Sequence, residues 1–322
     1  MNTLKKLALL GATAGLLGLG AAPAHASLVP FQTYTGKVAY SADGFGSTAQ
    51  TGTISASVPA GATVLAAYLY TSTFFNSTLA GIGATLNGNA VAFSALAQNA
   101  TACCTLRAAR ADVTSIVKPL IDGGAGGIYD FAITEADGSQ DGEALVVVYS
   151  HPSLGISSVG ILDGFASSAG DAVMVNFAAP LDPLAPGFHA EMALGIGFSC
   201  CSQASTVRVN GNLITENAGN NDDGLGAISN GQLFTMGGFD DPFSTLLPTY
   251  ADDHERYDLA PYITLGDTSL SVTTANASFD DNIFLSVLQV TGEATFNVPE
   301  PGALSLAAIG LLALGARRRR LK

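Results

Sequence analysis

An all-β protein of two tandem β-sandwich modules is what the sequence predicts, on three grounds. Alanine, glycine, serine, threonine and valine dominate, charged residues make up 12% and tryptophan is absent. That composition suits pleated sheets and argues against a helical bundle. Apolar residues alternate with a period of two between turn signals. Short motifs recur in one order at a nearly constant spacing, the signature of an internal repeat. The expected modules span residues 27–154 and 155–297. Each holds about 120 to 140 residues, the size of a jelly-roll or immunoglobulin-like sandwich.

The repeat rests on four matches. Asp43-Gly44-Phe45 returns as Asp163-Gly164-Phe165 at an offset of 120, and Asn87-Gly88-Asn89 returns as Asn210-Gly211-Asn212 at 123. Arg110-Ala111-Asp112-Val113 matches Arg256-Tyr257-Asp258-Leu259, and the apolar run Leu145 to Tyr149 matches Ile283 to Val290. There the offset has grown, which a polar insert between Glu216 and Tyr250, unique to the second copy, accounts for.

Within the copies, Thr53 to Val58 and Val64 to Tyr70 alternate around the turn signal Pro59-Ala60-Gly61. Asn210-Gly211 lies between apolar alternations, a strong hairpin cue. Leu145 to Val148 is continuously apolar, as a strand buried on both faces must be. Asp112 and Asp258 each precede apolar residues one, four and five positions onward, so each is expected to cap a single helical turn packed on a sheet. Pro261 fits inside the second turn. Arg110 and Arg256 are expected to pair with a carboxylate or to reach over the sandwich edge.

Both ends read as sorting signals. Residues 1–26 carry Lys5 and Lys6, an apolar run from Leu7 to Ala22, and Ala24-His25-Ala26, the small-x-small pattern that signal peptidase cuts between Ala26 and Ser27. Residues 298–322 begin Val298-Pro299-Glu300-Pro301-Gly302, continue with 14 apolar residues from Ala303 to Ala316, and close with Arg317, Arg318, Arg319 and Arg320. As a helix that stretch would be about 21 Å long, short for a ~30 Å hydrocarbon core unless its flanks snorkel. The arginines would stay cytoplasmic. The prolines would leave an extended segment open to an enzyme.

This order of Pro-Glu-Pro, short apolar helix and terminal arginines resembles the PEP-CTERM sorting domain of Gram-negative bacteria. The resemblance implies an exosortase-type enzyme that recognises the tail in the inner membrane and removes it. It also implies export to the cell surface, usually in organisms that make exopolysaccharide. Arg110 to Gly164 loosely resembles β-rich domains of other exported bacterial and archaeal surface proteins, which bears on fold alone.

Without the two signals, six basic residues face 25 acidic ones, a net charge near −19, so nucleic acid is not an expected partner. Cys103-Cys104 and Cys200-Cys201 are disulfide candidates in an oxidising space, with three possible connectivities. Adjacent half-cystines on a strand point to opposite faces, so at least one pair belongs in a loop. They fall at different places in the two copies, as staples between copies would.

No Gly-x-Ser-x-Gly elbow, HExxH or phosphate-binding glycine loop accompanies His151, His189 and His254, and no catalytic residue is assigned. Calcium candidates are Asp222, Asp223, Asp240, Asp241, Asp252, Asp253, Asp280 and Asp281. None follows EF-hand spacing, and solvated turn aspartates are the simpler expectation, so no cofactor is expected. The expected role is non-enzymatic: a structural or adhesive component of the envelope or an exopolysaccharide matrix. A calcium-assisted carbohydrate-binding module would instead expose Phe239, Phe243, Tyr250 and Tyr257 near an Asp-lined loop. A secreted hydrolase would gather a histidine, a carboxylate and a serine in a pocket.

Overall fold

The computed structural model describes residues 28–46, 49–73, 82–98, 106–167, 170–197, 205–216, 234–241, 243, 255–276 and 282–298. Antiparallel sheets make up nearly all of it. The first half runs β1 (Val29–Gly36), β2 (Val38–Gly46), β3 (Thr51–Val58), β4 (Thr63–Thr73), β5 (Ala84–Leu86), β6 (Asn89–Val91), β7 (Ser94–Gln98), β8 (Arg107–Asp112), helix α1 (Thr114–Ile121), β9 (Gly127–Glu135) and β10 (Gln140–Ser150). The second half runs β11 (Ser157–Asp163), β12 (Asp171–Phe177), β13 (Ala190–Gly197), β14 (Ser205–Val209), β15 (Asn212–Glu216), β16 (Phe234–Met236) and β17 (Arg256–Asp258). It ends with a 3-10 turn (Ala260–Tyr262), β18 (Ser269–Asn276), β19 (Asn282–Thr291) and β20 (Ala294–Asn297).

These strands form four sheets stacked as layers. In the first half an outer sheet, β3-β9-β5-β6, faces an inner sheet, β2-β10-β4-β8-β7. In the second half the inner sheet is β1-β11-β19-β13-β16, with β17 also on β13, and the outer sheet is β15-β14-β18-β12-β20. One apolar core, including Ile54, Leu69, Phe131 and Leu145, lies between the first outer and inner sheets. A second, including Tyr70, Val146, Phe234 and Phe284, joins the two inner sheets. A third, including Val175, Met192, Val272 and Leu288, closes the second half. The central strands of the inner sheets therefore have no solvent face: Gln140 to Tyr149 of β10 and all of β11 and β13 are buried. The continuous apolar run at Leu145 to Val148 reflects this.

Strand order repeats between the halves. The series β2-β10-β4-β8 and β3-β9-β5-β6 has its counterpart in β11-β19-β13-β17 and β12-β18-β14-β15. The match extends to atoms at the Asn-Gly hairpins. Asn87 and Asn210 have φ of 47° and 48° and precede glycines at 75° and 80°, the signs a type I′ turn requires. The Asn87 Oδ1 accepts the Ala132 N–H at 2.7 Å, and the Asn210 Oδ1 accepts the Ser271 N–H at 3.0 Å. Each asparagine thus extends the ladder to the neighbouring strand of its outer sheet.

Three features depart from the sequence expectation. β1 lies on the N-terminal side of the chain yet pairs with β11, so it completes the second half's inner sheet. Its Phe31 and Tyr34 pack on the core between the inner sheets. The insert after Glu216, polar in sequence, contains β16, whose three residues are fully buried against β13. Finally, Asp112 does accept the Thr114 N–H at 2.9 Å, and Asp258 the Ala260 N–H at 2.9 Å. The first of these starts two turns of helix instead of one, because Val117 and Ile121 on its buried side extend the apolar contact.

Candidate functional site

Of the calcium candidates, Asp240 is exposed and Asp241 caps a turn by accepting the Gly238 N–H at 2.7 Å. Asp222, Asp223, Asp252, Asp253, Asp280 and Asp281 lie outside the described residues. So do Cys103, Cys104, Cys200, Cys201, His254, Tyr250, Ala26, Ser27, Pro299, Glu300, Pro301 and Arg317 to Arg320. Among the described residues no group of three or more His, Cys, Asp and Glu is arranged to hold a metal ion, and no helix is long and apolar enough to cross a membrane. Tyr257, which a carbohydrate-binding module would expose, is 1% exposed and belongs to the second half's core.

The two Arg-x-Asp arginines act differently. Arg110 on β8 donates to Asp163 on β11, and Tyr70 on β4 donates to the same oxygen at 3.2 Å. The Arg110 guanidinium sits 3.3 Å from the centre of the Phe31 ring. One cation therefore ties strands of both halves together. Burial pushes the Asp163 carboxyl up despite Arg110 and Tyr70, which pull it down.

Arg256 stays within its own half, donating to Glu191 on β13 at 3.0 Å. His189 Nε2 lies 3.1 Å from the same carboxylate oxygen, and Phe243 stacks on the imidazole at 5.4 Å. Burial alone would push Glu191 up; the His189 hydrogen bond and the Arg256 charge outweigh it and hold the carboxyl below its ordinary range. A space of about 20 Å³ beside Arg256, lined also by Tyr40, Ser41 and Gly238, has room for a water and nothing larger. His151 contacts Ser153 Oγ at 2.6 Å and, from across the fold, the Ala60 carbonyl at 3.0 Å.

The most unusual chemistry lies where no motif pointed. Glu135 ends β9 in the first outer sheet, and Asp141 and Glu143 lie on β10 in the inner one, at 5%, 2% and 0% exposure. A bulge places them: the β10–β4 register shifts between Gln140 and Gly142, leaving Asp141 as the extra residue. Gly142 permits it with φ of 149°, and a Cβ there would meet the Phe45 carbonyl at 2.2 Å. Gln140 donates to Glu143 at 3.0 Å while its own carbonyl accepts the Gly83 N–H at 3.1 Å. Glu135 and Glu143 lie close enough for each carboxyl to act on the other. Burial first, and then the charge of Asp137, pushes Glu135 up to about 8. Burial and then the Glu135 charge push Asp141 and Glu143 well up. Sequence patterns missed this trio because its members sit among ordinary loop acids in a glycine-rich turn.

An open cleft of about 370 Å³ lies at one end of the second half. Phe177, Pro180, Leu181 and Phe188 line it, with Asp182 and Glu293 also on its walls.

A body of antiparallel sheets followed by a Pro-Glu-Pro, apolar and arginine-ended tail defines a class: exported proteins that carry their own sorting signal. The family described as PEP-CTERM protein-sorting motif matches residues 297–320, so the chain carries that motif. It marks an exported protein that an exosortase processes and that is sorted to the cell surface. No curated protein and no solved structure matches the chain.

Proposed function

We propose that the protein is a non-enzymatic structural or adhesive component of the cell surface, associated with the envelope or an exopolysaccharide matrix. The observation that carries this is where the motif starts. β20 ends at Asn297, the first residue of the match, and Val298 still packs on the second half's core. The four-layer body is thus joined to its sorting signal with no linker, and delivery of that body is what the tail accomplishes. Three stacked apolar cores, with Arg110 and Arg256 engaged by Asp163 and Glu191, make it suited to bearing load. Each half is best taken as a jelly-roll sandwich rather than an immunoglobulin-like one. From β2 to β10 the first strand pairs with the last and the second with the one before, on opposite sheets, and β11 to β19 repeat this with β11-β19 and β12-β18. The cysteine pairs are proposed as disulfides.

The cleft beside Phe188 favours a second reading, carbohydrate binding, since apolar walls and carboxylates together suit a sugar ring. The test is surface labelling in a host with an exosortase, comparing the wild type with Glu300→Ala and measuring matrix cohesion after deletion of the gene. Surface-exposed wild type, retained Glu300→Ala and a weakened matrix are the expected results. Unchanged cohesion would overturn the structural role, and loss of sugar uptake alone would favour the second reading.

A further inference from the structure

We propose that Glu135, Asp141 and Glu143 form a proton-operated lock that closes one end of the first half and opens when the carboxyls ionise. Glu135 comes from the outer sheet, and Asp141 and Glu143 from the inner one, so the trio bridges the two layers at the end of their shared core. Glu135 and Glu143 are 5% and 0% exposed, and two carboxyls buried side by side can hydrogen-bond to each other only if one keeps a proton, since two carboxylates have only acceptors. Glu135 Oε1, Asp141 Oδ2 and Glu143 Oε2 are buried without a hydrogen-bond partner, as is the Thr73 hydroxyl, which faces Gln140 across the ladder. Ionising the trio would set like charges in a dry corner, a state a protein leaves by neutralising them or by opening.

Among the described residues no ion pair reaches the three carboxyls. β4 presents Thr71 and Thr73, and β3, β5 and β6 hold no ionisable residue. On β2, Asp43 lies two rungs along, its carboxylate accepting the Ser55 N–H. In the turn, Asp137 adds a further negative charge. Arg107, on β8 opposite Thr73, makes no ion pair with the three carboxyls, and its own Nε is buried without a hydrogen-bond partner. Residues 74–81 and 99–105 contain no Lys, Arg or His. A proton is therefore what holds this corner shut. The moving part is the short hairpin β5–β6, joined to β9 by three rungs of which Ala84 to Glu135 is the one at the corner.

Two measurements on the purified chain test this. Infrared spectra at neutral pH should show a protonated-carboxyl carbonyl band that Glu143→Gln diminishes. Amide exchange at residues 83–86 and 135–143 should rise between pH 6 and 9 by about tenfold per pH unit for each proton released, beyond its intrinsic pH dependence. Glu143→Gln or Glu135→Gln should flatten that rise. Absence of the infrared band in the wild type, a measurement independent of how the variants fold, would overturn the lock. So would an equal rise in the variants, or restored protection on adding calcium at pH 9, which would make the corner a cation site.

Discussion

Glu191 and Glu143 are both buried carboxyls on central strands of inner sheets, yet they are handled in opposite ways. Glu191 accepts from Arg256 and His189 and stays ionised; Glu143 has Gln140, Thr71 and a second carboxyl around it and is driven toward its neutral form. A cation within hydrogen-bonding reach reverses the consequence of burial. The two halves share strand order, therefore, but these two carboxyls are shifted in opposite directions.

The largest effect expected in this comparison is structural. Gly142→Val should cost roughly 4 kcal/mol or more in urea unfolding, because its Cβ would strike the Phe45 carbonyl and abolish the bulge that sets Asp141 and Glu143 in place. Next, Arg256→Ala should cost about 3 kcal/mol by leaving Glu191 a buried charge with His189 alone. The double variant Arg256→Ala/Glu191→Gln should recover much of that loss.

Stability against pH should then separate the Glu135 corner from the Glu191 site. The Glu135 carboxyl is raised from 4.5 to about 8, so its contribution is complete below about 4.5 and is lost as pH climbs through about 8. Glu191 is lowered, so its contribution is present above its ordinary value and is lost as pH falls through its depressed one. Thermal melts should accordingly peak in mild acid. Glu135→Gln should flatten the alkaline limb alone and Glu191→Gln the acid limb alone. A shared response to either substitution would dissolve the contrast.

The smallest effect tests likeness instead of difference. Asn87→Ala and Asn210→Ala should each cost about 1 to 2 kcal/mol, through a lost ladder hydrogen bond and a strained positive φ. Near-equal costs would mark the hairpins as equivalent, and a twofold disparity would not.

Much of the fold was legible because its signals are local. Asn210-Gly211 specifies a type I′ turn by backbone sterics, Asp112 and Asp258 accept the N–H two residues onward, and Leu145 to Val148 is apolar because both its faces meet a core. The acid trio was not legible. Glu135 and Glu143 are eight residues apart across a turn, and nothing in their spacing says that the intervening strands belong to facing sheets.

The sequence by itself determined the strand-rich character, the repeat of motifs and the sorting motif, because composition, periodicity and a contiguous tail need no partner elsewhere in the chain. Only the tertiary structure decided that β1 serves the second half, that β16 is a core strand, that Arg110 ties the halves through Asp163 while Arg256 does not, and that three acids share one dry corner. Each depends on which face of which sheet meets another, a long-range outcome of packing.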